Sequence, residues 1–246
     1  MQGFWMTVFY EPLYNGLIFL VQAFPIHSVG IAVILLTLLV KIILFPLAQK
    51  SIKSQVEMKK IEPFIEKIKK DFPNNKEEQA RKTMALYKEH KINPFSGCLV
   101  LLIQIPIIFA LYKVFMNGIH SPEGVLYSFV HLPETFSTMF LGADLTGKSI
   151  GLAILAGASQ FLQAHVASAS LTPATDEKSF KNDFMKSMQF QMKYILPVFI
   201  AIVSYTLASA VALYWVTSNL FTVGQEYIIR KKAKEEMAHT PALPQK

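Results

Sequence analysis

Apolar residues run through this chain in long blocks, separated by short polar segments and one long charged one. A helix needs about 20 predominantly apolar residues to cross hydrocarbon. Residues 28–47 (SVGIAVILLTLLVKIILFPL) meet that with one charge inside, and 97–115 (GCLVLLIQIPIIFALYKVF) meet it with Lys113 near one end. Residues 149–168 form a third block, richer in small side chains, and 191–208 and 210–229 read as a fourth and a fifth. The pattern predicts an all-α polytopic membrane protein with five transmembrane helices.

The polar segments carry their own periodicity. Within 48–96, Ile61, Ile65, Ile68 and Phe72 are spaced i, i+4, i+7, i+11, and Ala80, Met84 and Tyr87 resume the pattern after a turn at Asp71-Phe72-Pro73-Asn74-Asn75. Both stretches are rich in Lys and Glu, which predicts a charged helical hairpin, kinked near Pro63. In 1–27, Leu13, Leu17, Leu20 and Phe24 recur at helical spacing, with Tyr14, Asn15 and Gln22 on other faces. That reads as an amphipathic helix on the outer interface, with a sixth span as the alternative.

Charge then sets the orientation. Residues 1–27 hold no Lys or Arg, 48–96 hold twelve against seven acids, 118–148 hold one against three, and the tail 230–246 holds five against two. Lys and Arg beside short loops stay cytoplasmic. The N-terminus and the loop 116–148 are therefore expected outside. The hairpin, the loop 169–190 and the tail are expected inside. An outside start and an inside end require an odd number of spans, which five satisfies.

Composition narrows the function classes. The chain is 52% hydrophobic and 17% charged, below the roughly 25% charged of a soluble domain, which excludes a disordered chain. A single Cys excludes a disulfide scaffold and a multi-Cys zinc site. The net charge of +7 suits nucleic acid, but the basic residues flank the apolar blocks, where they serve topology. Nothing matches a Walker A loop, an H-E-x-x-H zinc motif, a dinucleotide fingerprint or G-x-S-x-G, and the six His are scattered. No enzymatic activity, cofactor or metal is expected.

Lys41 is the informative exception to the apolar pattern. It lies about 9 Å inside the first block from its basic end, where an ammonium costs roughly 2.5–3.5 kcal/mol. It either snorkels to the interface or faces a polar interior. Thr37 lies one turn away on the same face. Gln104 interrupts the second block, Gln160 and Gln163 share one face of the third, and Tyr214, Trp215, Thr217, Ser218, Asn219 and Thr222 crowd the fifth. Several polar side chains around one cation suggest a hydrophilic cavity. No acid lies centrally in any block, the nearest being Glu226. A small transporter or channel, with Lys41 as its substrate-binding charge, is the alternative use of such a cavity.

Residues 10–47 (YEPLYNGLIFLVQAF…VGIAVILLTLLVKIILFPL), 86–98 (LYKEHKINPFSGC), 101–115 (LLIQIPIIFALYKVF) and 213–225 (LYWVTSNLFTVGQ) resemble, in order, the conserved segments of the YidC membrane protein insertases. The resemblance implies a five-helix core around a hydrophilic groove that is open to the cytoplasm and lipid and closed to the outside. It implies a positive groove residue on the first core span, here Lys41 where the bacterial pattern usually has Arg, with Gln104 and Trp215 at further groove positions. Thr37, Gln160 and Gln163 join the substrate-binding groove by helical facing. The resemblance also implies nascent membrane proteins as substrates, the lipid bilayer and the Sec translocon as partners, and a mobile cytoplasmic hairpin. A ribosome contact would fall on that hairpin or the tail. The pattern is that of the short bacterial form, without a large periplasmic domain, in the plasma membrane.

Overall fold

Helix begins almost at the N-terminus in this computed structural model, which describes residues 2–73, 75–93, 96–116, 119, 125–168, 187 and 190–238. A first turn, α1 (Gln2–Trp5), passes through a π-helical turn (Met6–Tyr10) into α2 (Glu11–Ala23). Pro12 lies in the first turn of α2, where its missing N–H coincides with the change from the π-helical turn to α-helix. There follow α3 (Val29–Lys60), α4 (Glu62–Asp71), α5 (Lys76–Glu89) and α6 (Ser96–Met116). A two-stranded ribbon, β1 (Met139–Phe140) and β2 (Ala143–Asp144), precedes α7 (Ile150–Ser168). A second π-helical turn (Gln191–Ile195) leads into α8 (Leu196–Thr206), and α9 (Ser209–Ala238) ends the described chain. By length and composition, α3 and residues Ile150–Ala167 are able to cross a membrane, and Leu102–Met116 is a shorter apolar helix. Most of the expected loop 169–190 and residues 239–246 of the expected tail lie outside the described residues.

The first apolar block does not end its helix. From Val29, α3 runs through Pro46 to Lys60, about 48 Å of continuous rod. Its apolar half and its basic half are one element. The kink expected near Pro63 is a break at Ile61, after which Pro63 lies in the first turn of α4. Its fixed φ is pre-organised for a helix start. Helix α4 ends at Asp71, where the expected turn begins, and the Asn75 side chain caps α5 by accepting from the Glu78 N–H at 3.0 Å. The apolar stripe on α5 is less covered than its spacing predicts. Ala80 and Met84 are exposed, neither α4 nor α5 buries a residue fully, and burial is confined to the base, at Ile61 and Ile92. Few buried contacts hold this hairpin, which places it at the low-stability end of the fold.

The core forms around α9, which packs between α3 and α7, while α8 lies on α7. Small side chains allow these approaches. Ala210 and Ala212 are fully buried, and Gly157 faces α8 so closely that a Cβ there would stand 2.8 Å from the Ala201 Cβ and 3.0 Å from the Pro197 carbonyl oxygen.

The face expected for α2 needs correction. Leu13 and Leu17 are buried as expected, but so are Tyr14 and Asn15, which had been assigned to other faces, and Phe24 is exposed. The reason is tertiary. The Tyr14 hydroxyl donates to the Ile119 carbonyl at 3.0 Å, and the Asn15 amide donates to the Val125 carbonyl and accepts from the Tyr127 N–H. Polar groups satisfied in this way are stable inside.

The same distant segment plugs one end of the bundle. Val29 N–H donates to the Ser137 carbonyl, Ser137 N–H to the His27 carbonyl, and Phe140 lies across Gly30, where a Cβ would collide with the ring. The first N–H groups of α9, from Ser209 and Ala210, donate to the carbonyls of Gly147 and Leu145, and the Ser209 hydroxyl donates to the Asp144 carbonyl at 2.6 Å. These partners satisfy donors that a helix start otherwise leaves unpaired. Asp144 shapes the loop itself. Its carboxylate accepts from the Thr146 N–H at 3.0 Å and hydroxyl at 2.9 Å, and these bonds hold its pKa below the ordinary 3.8. Stability from this carboxylate is therefore present above pH 3.8 and fades as pH falls through the lower folded value. The Thr146 amide chemical shift is expected to titrate with a midpoint below 3.8, and a midpoint at or above it contradicts the bond.

The ribbon turns through Leu141 (φ 51°) and Gly142 (φ 77°). Two consecutive left-handed residues suit Asn-Gly, yet the first is an exposed Leu. Leu141→Asn is expected to raise stability by about 0.5–1 kcal/mol, read as a higher Tm in detergent. An unchanged or lower Tm would show that the turn is not strained there.

Candidate functional site, a polar seam between helices

Along α9, Tyr214, Ser218 and Thr222 recur every four residues and so lie on one face. That face meets two other helices. From α3, the Lys41 ammonium donates to the Thr222 hydroxyl at 3.2 Å, and Thr222 in turn donates to the Ser218 carbonyl at 2.8 Å. From α6, the Gln104 amide hydrogen-bonds the Tyr214 hydroxyl. A turn beyond Lys41, the Gln225 amide donates to the Phe45 carbonyl at 3.4 Å. The result is a line of hydroxyls, amides and one ammonium running where α3, α6 and α9 converge.

The environment of Lys41 bears on its two readings. Leu39, Ile42 and Ile43 are 51%, 59% and 65% exposed and mark the outward face of α3, while Thr37 and Leu36 are buried. Lys41 lies at the edge between these faces and is partly buried. Its ammonium reaches sideways to a neighbouring helix rather than along its own helix towards the basic end. It forms no ion pair among the described residues. Glu226, the acid within the fifth apolar block, is engaged by Arg230 at 3.2 Å, and Arg230 also donates to the Ala167 carbonyl. Lys41 thus presents a cation whose protein partner is a neutral hydroxyl.

The other expected residues divide. Gln104 reaches the seam. Thr37 is buried with its hydroxyl donating back to the Val33 carbonyl at 2.6 Å, so it fills space beneath the seam. Trp215 is 8% exposed and belongs to the apolar core. Gln160 and Gln163 share a face of α7 and hydrogen-bond each other at 2.9 Å, apart from the contacts that hold Lys41. Spacing alone did not single out Ser159, which accepts from the Asn219 amide at 3.1 Å and joins α7 to α9. Thr222 and Tyr214 were legible in principle, since their four-residue period with Ser218 marks a polar stripe on an apolar helix.

A bundle of apolar helices with a polar seam inside it and a charged hairpin at one end is a polytopic α-helical membrane protein. Comparison with known proteins gives the family. Residues 20–236 match the family model described as 60Kd inner membrane protein. The chain is 37% identical over 229 residues to the membrane protein insertase YidC of Fusobacterium nucleatum, covering 92% of this chain and 99% of that protein. It is 37% identical over 218 residues to that of Clostridium tetani, covering 89% of each. Against the insertase YidC of Pelobacter propionicus it is 34% identical over 92% of this chain but spans only 39% of the relative. The chain belongs to the YidC membrane protein insertase family, a family of bacterial inner-membrane proteins.

Proposed function

We propose that this protein inserts integral membrane proteins and helps them fold, using the seam at Lys41 as a transient holding site for the hydrophilic tail of the substrate. The observation that carries this reading is the Lys41–Thr222 contact: an ammonium inside an apolar bundle, held by a hydroxyl and facing no carboxylate among the described residues. A buried cation in a membrane marks a functional site, and an acidic tail is the partner it lacks.

The physical problem is the tail. In lipid, each unsatisfied backbone group costs several kcal/mol. A hydrophilic groove among five spans, open towards the basic end and to lipid, shortens that path. The plug formed by residues 125–148 around the starts of α3 and α9 keeps the other end shut. Lys41 and its hydroxyl and amide neighbours hold the tail partway. The membrane potential, about 2.3 kcal/mol per charge per 100 mV, draws a negative tail outward. Burial of the substrate's apolar helix in lipid completes the step without nucleotide. In this topology the N-terminus is outside and the hairpin and C-terminus are cytoplasmic. The weakly held hairpin suits first capture of the nascent chain, with ribosome contact there or at the tail. Clients arriving through the Sec translocon use the same seam. Gln160 and Gln163 line the groove from α7, while Thr37 and Trp215 back its wall from beneath.

The test is reconstitution. Liposomes holding only this protein, with an imposed potential and no nucleotide, are expected to protect the acidic tail of a single-span substrate from external protease. Protection no greater than in protein-free liposomes would refute the function.

A further inference from the structure

The far end of α6 carries a second cation in an unusual setting. Lys113 lies in the last turn of α6, at the end remote from the hairpin. Its ammonium stands 5.5 Å from the centroid of the Trp5 ring, 5.0 Å from that of Tyr10 and 3.3 Å from the Met6 sulfur. Among the described residues no carboxylate lies within ion-pair distance of it. Beside it opens a cavity of about 500 Å³ lined by Trp5, Phe109, Tyr112, Lys113 and Met116. Phe109 and Met116 are 59% and 60% exposed, so the cavity opens sideways towards the lipid rather than into the bundle.

We propose that this cavity binds an anionic phospholipid, with the acyl chain against Phe109, Tyr112 and Met116 and the phosphate beside Lys113. The chemistry of the walls selects that occupant. A long apolar surface with a single cation at its rim matches a molecule that is apolar along its length and anionic at one end. The aromatic rings hold the ammonium in place by its attraction to their faces, yet they leave its charge unneutralised. Trp and Tyr gather at the headgroup level of a membrane, where Trp5, Tyr10 and Tyr112 would set the depth of the phosphate. A bound lipid would fasten the N-terminal helices to α6, since Trp5, Tyr10 and Met6 come from one and Lys113 from the other. The site rests on the topology proposed above, which puts this end of α6 at a bilayer interface.

The protein contains two Trp, at positions 5 and 215, so Trp215→Phe leaves Trp5 as the only reporter. The variant is placed in phosphatidylcholine vesicles containing a minority of phosphatidylglycerol. Headgroup composition is fixed, and bromine is carried on the chains of one lipid or the other at equal mole fraction. Brominated phosphatidylglycerol is expected to quench Trp5 as though enriched about fivefold over bulk, the effect of one basic residue near an anionic headgroup. Lys113→Gln is expected to abolish the difference and Lys113→Arg to keep it. The difference between wild type and Trp5→Phe gives the same signal without altering Trp215. Equal quenching by the two lipids, or a preference that survives Lys113→Gln, overturns the site while leaving the topology intact. Quenching by neither lipid overturns the site by taking Trp5 out of the bilayer, and the proposed topology falls with it.

Discussion

Lys41→Ala, expressed at the wild-type level, is expected to lose most insertion of a single-span substrate with an acidic tail. A hydrogen bond to a charged group contributes about 1.5–3 kcal/mol, so the rate falls on the order of ten- to a hundredfold. The loss should follow charge. Lys41→Arg is expected to retain insertion, because a guanidinium from the same helix position still faces Thr222 across the seam, and its bidentate fork suits a carboxylate at least as well. Substrates with neutral tails should depend less on Lys41, since they offer it no anion. Radiolabelled substrate insertion in cells depleted of the native protein measures all three arms. Normal insertion of the acidic-tailed substrate by Lys41→Ala would return Lys41 to a snorkelling residue with no part in the mechanism.

Gly157→Leu is expected to destabilise the bundle by forcing α7 and α8 apart. The Cβ alone would stand 2.8 Å from the Ala201 Cβ and 3.0 Å from the Pro197 carbonyl oxygen. One of those atoms is backbone, so the two helices themselves must separate. Overpacking of this kind costs about 1–3 kcal/mol, and for a chain of this size that lowers Tm by roughly 2–4 °C per kcal/mol. Gly224→Ala supplies the contrast. Nothing lies within 4 Å of a Cβ there, and the residue sits mid-helix in α9. The gain in helix propensity, about 1 kcal/mol, is expected to raise Tm. Thermal unfolding in detergent, followed by loss of the monodisperse peak, reads both. A Gly157→Leu protein as stable as wild type would contradict the close approach of α7 and α8.

The apolar blocks, the charged hairpin and Lys41 were legible in the sequence because each depends on local pattern. The boundary between α4 and α5 was legible for the same reason, since Asn75 caps α5 through a residue only three positions away. What stayed hidden depends on distant partners. Tyr14 and Asn15 read as polar residues on other faces of α2, and their burial is satisfied largely by Ile119, Val125 and Tyr127, more than 100 residues on. The plug at 125–148 carries little hydrophobic period, and its order comes from backbone donors of α3 and α9 that need acceptors. The first apolar block ends at residue 47, yet its helix runs on for thirteen residues to Lys60. At the site, helical facing puts Thr37 on the Lys41 side of α3, but depth is a tertiary quantity. Thr37 lies under the seam, Trp215 lies in the core, and Thr222 is the side chain that meets the ammonium.

Photocrosslinking from Gln104 and Thr222, with Lys41 left intact, reads whether a substrate tail enters the seam. A photoreactive residue is placed at each position in turn, and at Leu39 on the outward face of α3 as a control. The partner is a single-span substrate arrested during insertion. Adducts to the substrate's hydrophilic tail are expected from 104 and 222, and none to the tail from 39. Tail adducts absent from both seam positions, or as strong from 39, would contradict the holding role of the seam.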